Sequence, residues 1–223
     1  MTRRTIMYMA GASVALLSIA AIGGLWAVRS QWFREKVRER IVQEVEKASG
    51  GRVELGSFDF DWGKLEARVA RFTLHGKEPA GEDPLFQAGE VKVGLKVISA
   101  FRRDVDIASL EIDRPRLSIL VDSEGKTNLP TPKLTRSGGP NVLEQVIRLA
   151  VGHIDIRNGV VRYDTETIPI DVRGERVNVS LDYDGAAKRY VGRVGAEPVT
   201  VRTTGIEPIR VERVDTRVIV END

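Results

Sequence analysis

No cysteine occurs among the 223 residues, which excludes disulfides, thiolate catalysis and cysteine-ligated metal. Histidine is almost missing as well. His75 and His153 are the only two, 78 residues apart, a separation with no metal-ligand spacing. The chain has no phosphate-binding Walker loop, no GxGxxG turn, no GxSxG elbow and no HExxH pair, so the common signatures of nucleotide, hydrolase and metalloprotease chemistry are absent. His153-x-Asp155 places an imidazole and a carboxylate on one strand face, and Asp59 and Asp61 share a face opposite Phe58, Phe60 and Trp62. Such alternation is what any solvated strand face shows, and nothing near either pair would raise a carboxyl pKa for acid–base work. The reading is therefore a non-enzymatic protein without cofactor or metal.

Charge of one sign is also lacking. The formal net charge is +2, but Arg3, Arg4 and Arg29 supply +3 and the first 29 residues contain no acid, so residues 30–223 sum to −1. No Lys/Arg patch with interleaved aromatics occurs, and nucleic acid is not an expected partner.

Long apolar runs are scarce, and the one present dominates the chain. Ile6 to Val28 contains no charged residue. At ~1.5 Å per residue it makes a helix roughly 34 Å long, enough to cross a ~30 Å hydrocarbon core. Tyr8 and Trp26 sit near its ends, where amphipathic rings favour the headgroup level. The competing reading is a cleaved signal peptide with Ser18 and Ala20 at the cleavage site; it would leave the apolar stub Ala21 to Val28 on the mature chain, and signal cores run only ~7–15 residues. A single-pass signal-anchor over 6–28, within a segment 1–29 that includes a short tail, is the expectation. Orientation is not settled by charge: two arginines precede the run, whereas Arg29, Arg34, Lys36, Arg38 and Arg40 follow it closely, a count that favours a cytoplasmic body.

Beyond the anchor, residues 30–51 read as an amphipathic helix. Phe33, Val37, Ile41, Val45 and Ala48 recur at helical spacing, and Gly50-Gly51 stops it. After Gly51 the period changes from 3.6 to 2. Val53/Leu55, Phe58/Phe60/Trp62, Leu65/Ala67/Val69, then Phe72/Leu74 after a one-residue slip, alternate with polar residues. Val91/Val93/Leu95/Val97, Leu110/Ile112 and Leu117/Ile119/Val121 continue the pattern, which predicts antiparallel sheet with one apolar face. The organisation expected is a first β module over 52–129, a linker and short helix beginning near Asn141 over 130–152, and a second β module over 153–223. Ser109–Ile119 aligns without gaps on His153–Tyr163 at an offset of 44 residues, with Pro115 and Gly159 at the same point; this suggests a repeated module. The fold class is mainly β with helices (α+β).

Three segments carry a resemblance: Lys47-Ala48-Ser49-Gly50-Gly51-Arg52-Val53-Glu54-Leu55-Gly56-Ser57-Phe58, Ala108 to Leu117 with its Asp113-Arg114-Pro115-Arg116, and Asp122-Ser123-Glu124-Gly125-Lys126-Thr127-Asn128-Leu129. Together with the anchor they resemble the amino-terminal region of the AsmA-like proteins, most closely the TamB translocation and assembly module family. The resemblance covers residues 5–130 and continues more weakly to the end. It implies a single-pass bacterial inner-membrane protein with a cytoplasmic amino terminus and a periplasmic body. That body would be an elongated β-taco with a greasy interior, serving outer-membrane biogenesis through lipid transport between membranes or through assembly and secretion of outer-membrane proteins. It further implies phospholipid acyl chains as partners, and an outer-membrane partner met through a carboxy-terminal region beyond Asp223, the chain being an amino-terminal piece. Val91, Val93, Leu95, Val97, Leu117, Ile119, Val121, Val161 and Tyr163 are the expected lining of the groove. The other reading is a periplasmic scaffold with an ordinary closed β core.

Overall fold

The computed structural model describes residues 31–96, 107–131 and 150–221. The apolar run Ile6–Val28, residue Val97, most of the 130–152 linker and the short helix expected from Asn141 all lie outside the described residues. No helix among the described residues is long and apolar enough to cross a membrane. The chain divides into two units, Met1–Ile41 and Val42–Asp223, and the division falls within the helix α1, Gln31–Ser49.

Helix α1 forms for the reasons its sequence suggests. Glu35–Arg38, Lys36–Glu39 and Glu44–Lys47 pair at i,i+3 with separations of 3.1, 2.9 and 3.5 Å on its exposed side. Val37, Ile41, Val42 and Val45 are half-buried, whereas Ala48 is exposed. Gly50 ends the helix at φ 78°, its N–H donating to the Glu46 carbonyl at 2.8 Å. The Glu46 carboxylate accepts from the Val53 N–H at 3.0 Å and so ties the end of the helix to the first strand.

The second unit is one eleven-stranded sheet, eight positions across. In chain order the strands are β1 (Arg52–Asp61), β2 (Glu66–His75), β3 (Phe86–Leu95), β4 (Ile107–Asp113), β5 (Arg116–Val121), β6 (His153–Thr165), β7 (Ile170–Asp184), β8 (Arg189–Ala196), β9 (Val199–Thr203), β10 (Ile206–Val211) and β11 (Val214–Glu221). Strands β4 and β5 lie end to end beside β6, β8 and β9 end to end beside β7, and β11 and β10 pair with β8 and β9 respectively. The molecule is thus mainly β with a helix, as expected.

The sheet is mixed rather than purely antiparallel. Strand β6 runs parallel to β4 and β5, because the long connection between Val121 and His153 returns the chain to the end from which β4 started, as a parallel neighbour requires. The two stretches that align in sequence are these neighbours. Ser109 faces His153 and Ile119 faces Tyr163, the same offset on both sides of the break. The aligned positions are thus cross-strand neighbours, rung by rung.

Every strand position carries one irregularity, and the irregularities line up. Apolar residues recur at i,i+2 except once per position, where they recur at i,i+3: Leu55/Phe58, Val69/Phe72, Ala88/Val91, Ile112/Pro115, Ile156/Gly159, Gly174/Val177, Ala196/Val199 and Val211/Val214. The intervening dipeptides form a crease across the sheet. Arg71, Arg114, Asn158 and Arg176 on it have φ of 51, 50, 55 and 43°, and Glu197–Pro198 is a cis peptide. No residue is inserted in the first strands: Leu55 faces Phe72 and Ser57 faces Ala70 on either side, and Phe86 faces Leu117 just as Glu90 faces Asp113.

A left-handed residue changes which face the following side chain takes, so the phase change in the sequence leaves the apolar face continuous. Two glycines report this. A Cβ on Gly174 would lie 3.5 Å from Val177 Cγ2 and 3.9 Å from Ala196 Cβ, and one on Gly159 would lie 3.2 Å from Pro115 Cγ and 3.3 Å from Val177 Cβ. Apolar positions from both sides of the crease therefore share one face. Asn158 supports its own strained backbone, its N–H donating to Asn178 Oδ1 at 3.1 Å while Asn178 Nδ2 donates to the Arg176 carbonyl at 2.7 Å. Left-handed φ costs an L-residue roughly 1–2 kcal/mol, most for a β-branched one. Asn158→Val is therefore expected to lower stability by about 2 kcal/mol and Asn158→Gly to leave it within ~0.5 kcal/mol, read as the shift in urea midpoint at constant m.

Candidate functional site

The apolar face of the sheet is the candidate site. On one side of the crease, Phe58, Val69, Val91, Ile112, Ile156, Val179 and Val194 follow one another as cross-strand partners in a row transverse to the strands. A second row runs Phe60, Ala67, Val93, Leu110, Ile154 and Leu181. On the other side, Val53, Leu74, Phe86, Leu117, Val161, Gly174, Val199 and Val211 make a row, and Ile119, Tyr163, Val172, Val201 and Ile209 make the next.

The expected lining residues fall into these rows. Val91 and Val93 sit against Ile112 and Leu110, and Leu95 against Ile107. Leu117 meets Val161, Ile119 meets Tyr163, and Val121 meets Thr165. All are half-buried except Tyr163, which is 40 % exposed; Val97 lies outside the described residues. The two groups stand on opposite sides of the crease.

Burial along the face is graded. Val151, Ile154 and Tyr190 form a closed cluster with Ile107, Leu110, Ile156, Leu181, Tyr183 and Val220 around it. Tyr190 is 1 % exposed and its ring lies 5.1 Å from that of Tyr183. Burial pushes its hydroxyl pKa up, against a smaller opposing effect of a hydrogen bond with the Val151 backbone. Away from this cluster Val53, Leu55, Val69 and Ala88 are buried as well, at 4–8 % exposure, and most of the remaining positions on the face are half-buried. Each strand makes its substantial strand contacts with its sheet neighbours, so the described strands lay no second sheet over the face.

The opposite face is charged and internally paired. Lys92 lies 3.3 Å from Glu90 and 3.9 Å from Glu111, Arg68 2.6 Å from Glu66, and Arg162 2.6 Å from Asp164. Glu66 and Asp155 raise the pKa of Arg68 and Arg157 respectively, chiefly through direct hydrogen bonds. His153 does not join Asp155: its Nδ1 lies 2.8 Å from Asp182 Oδ1 on the adjacent strand, while Asp155 pairs with Arg157. His75 Nδ1 lies 2.9 Å from Glu78 Oε1, on the other side of the crease from His153. Asp61 Oδ1 accepts from the Gly63 and Lys64 N–H groups at 2.9 and 3.1 Å, a turn-capping task. No group of three or more His, Cys, Asp or Glu side chains able to hold a metal occurs among the described residues.

The segments that carry the family resemblance have identifiable structural tasks. Asp113-Arg114, just before Pro115, is the crease of β4–β5. In the turn that follows, Asp122 Oδ1 accepts from the Glu124 and Lys126 N–H groups at 2.9 and 2.8 Å, and Gly125 takes φ 78°. Asn128 is 4 % exposed; its Oδ1 accepts from Leu120 N–H at 3.0 Å and its Nδ2 donates to the Ser118 carbonyl at 2.8 Å. The Asn128 carbonyl in turn accepts from Lys77 N–H at 2.7 Å, joining the loop after β5 to the loop after β2. No protein-family model matches the chain, and no curated protein matches it.

Alternation in the sequence already marks Val199/Val201 and Ile209/Val211 as strand residues, but neither their place in the rows of this face nor the crease was read from it. The signal for both was present as the single i,i+3 step in each strand, seen only at Val69/Phe72 and at Pro115 and Gly159.

Proposed function

We propose that the chain is a non-enzymatic cell-envelope protein of the AsmA-like type, closest to the TamB translocation and assembly module family, held in the bacterial inner membrane through residues 6–28 with a periplasmic body. Its sheet forms the start of a hydrophobic β groove, a β-taco of repeated strand modules, for lipid transport between membranes or for assembly of outer-membrane proteins. The observation that carries this reading is the apolar face itself, continuous across the crease, covered by no second sheet among the described strands, and only partly buried at most of its positions. Soluble proteins rarely leave so large a connected apolar surface without a ligand or partner. Eight strand positions at ~4.8 Å make a strip roughly 34 Å long, so an acyl chain, half of a ~30 Å bilayer core, occupies about half of it. The tail of such a lipid needs no directional partners, which fits rows of Val, Ile and Leu without convergent polar groups.

A periplasmic scaffold with a closed core is the second reading, favoured by the Val151–Ile154–Tyr190 cluster. Photoreactive residues separate the two. Placed at Val93 or Ile119 in cells, they are expected to capture phospholipid, whereas one at Lys92, on the charged face, is not. Failure to capture lipid at both apolar positions leaves the scaffold.

A further inference from the structure

The turns at the two ends of the strands carry opposite charge. The strand registers place the β1–β2 turn 62–65, Lys96 after β3, Val151-Gly152 before β6 and the β7–β8 turn 185–188 at one end. These segments hold Lys64, Lys96 and Lys188 and no acid, a charge of +3. At the other end lie 76–85, 122–131, 166–169 and 204–205. They set Lys77 and Lys126 against Glu78, Glu82, Asp83, Asp122, Glu124 and Glu166, two cations against six anions, a charge of −4. Lys64, Lys96 and Lys188 are exposed, and their ammonium groups have no partner among the described residues. The acids at the strand ends beside them are engaged. Asp61 and Asp184 accept from turn N–H groups, Glu66 pairs with Arg68 at 2.6 Å, and Glu221 faces Arg189 across a strand pair. Trp62, in the same turn as Lys64, is 48 % exposed, and its ring centre lies 4.5 Å from that of Phe60, so it prolongs the apolar face to the basic end.

We propose that the basic end of the sheet, with Trp62, docks on an anionic phospholipid surface. The inference rests on the reading of residues 6–28 as an anchor. The 19 residues of α1 span about 28 Å and the ten residues of β1 about 33 Å. The start of β1 therefore stays within a helix length of the bilayer, and the Trp62 turn, one strand further on, is within reach of it. Lysines are drawn to anionic headgroups over about a Debye length. Tryptophan favours the headgroup level, where its ring meets hydrocarbon and its N–H a polar partner. A soluble polyanion would engage the lysines alone; an exposed tryptophan continuous with an apolar face suits a surface with hydrocarbon beneath its charge. The same surface repels the acidic end, so charge alone orients the sheet. Docked in this way, the apolar row that begins at Trp62 and Phe60 starts at the headgroups, where an acyl chain leaves the bilayer.

The test uses the full chain reconstituted in vesicles, where the absence of native cysteine lets one engineered cysteine carry a fluorophore. Ala187→Cys labels the basic end and Thr204→Cys the acidic end, both at exposed positions. In vesicles containing phosphatidylglycerol, the label at Ala187→Cys is expected to be shielded from aqueous acrylamide about fivefold relative to the label at Thr204→Cys. In pure phosphatidylcholine vesicles the two should be quenched alike. Each lysine near an anionic surface raises the docked population by about fivefold, so the triple variant Lys64→Glu, Lys96→Glu, Lys188→Glu should lose the shielding at an unchanged urea midpoint. Trp62→Ser should weaken it with all three charges in place. Chain that stays with the vesicles in alkaline carbonate but shows equal quenching of the two labels, or shielding that survives both variants, overturns the docking and leaves the anchor standing. Chain that washes off refutes the anchor and the docking with it.

Discussion

Replacing Tyr190 with alanine is expected to remove about 3–5 kcal/mol of stability, as deletion of a buried aromatic ring does when its surroundings relax only partly. Tyr190 is the largest side chain that is fully buried among the described residues. Its ring packs on Tyr183 and closes the cluster with Val151 and Ile154. A domain with a total stability of ~5–15 kcal/mol has little margin for that loss, so the urea midpoint should fall by roughly a fifth or more. Tyr190→Phe keeps the ring and gives up only the hydrogen bond with the Val151 backbone, a cost of about 1 kcal/mol. Tyr163→Ala, on the same face but 40 % exposed, should cost clearly less, about 1–2 kcal/mol, because a large part of its area never left water and no enclosed cavity is left behind. The contrast between the two tyrosines measures how far the closed cluster extends along the face.

Much of the sheet was legible because period-2 alternation is a direct consequence of side chains taking opposite faces. Val91/Val93/Leu95 and Leu117/Ile119/Val121 were placed on apolar faces by that rule alone, and the structure sets them in transverse rows. What alternation cannot reveal is strand direction. The gapless match of Ser109–Ile119 to His153–Tyr163 is compatible with a parallel pair, since the structure makes the aligned residues parallel neighbours at the same constant offset, but the match suggests a repeated module without saying that the two copies lie side by side. The crease was half-visible. A slip at Val69/Phe72 suggests one bulge, which is a property of one strand pair, whereas eight aligned slips are a property of the sheet. Pairing must be known before they can be seen to coincide. The buried cluster was the least legible part. Val151 and Tyr190 come from a loop and a strand start that look no more apolar than their neighbours, and only the packing of Ile107, Leu181 and Val220 around them makes a core.

Two aspartate substitutions test the openness of the apolar face most directly. Ile154 is 7 % exposed within the closed cluster, and Ile119 is half-buried on the other side of the crease beside the exposed Tyr163. An aspartate enclosed without a partner is among the most destabilising of substitutions, on the order of 4 kcal/mol or more, while one on an open wall hydrates its charge and costs far less. Chemical denaturation of the two variants should therefore show Ile154→Asp largely unfolded in the absence of urea and Ile119→Asp folded, with a midpoint lowered by no more than about 2 kcal/mol equivalent. Equal loss of folding in both would mean that the face is sealed at Ile119 as it is at Ile154, and would contradict an open apolar groove.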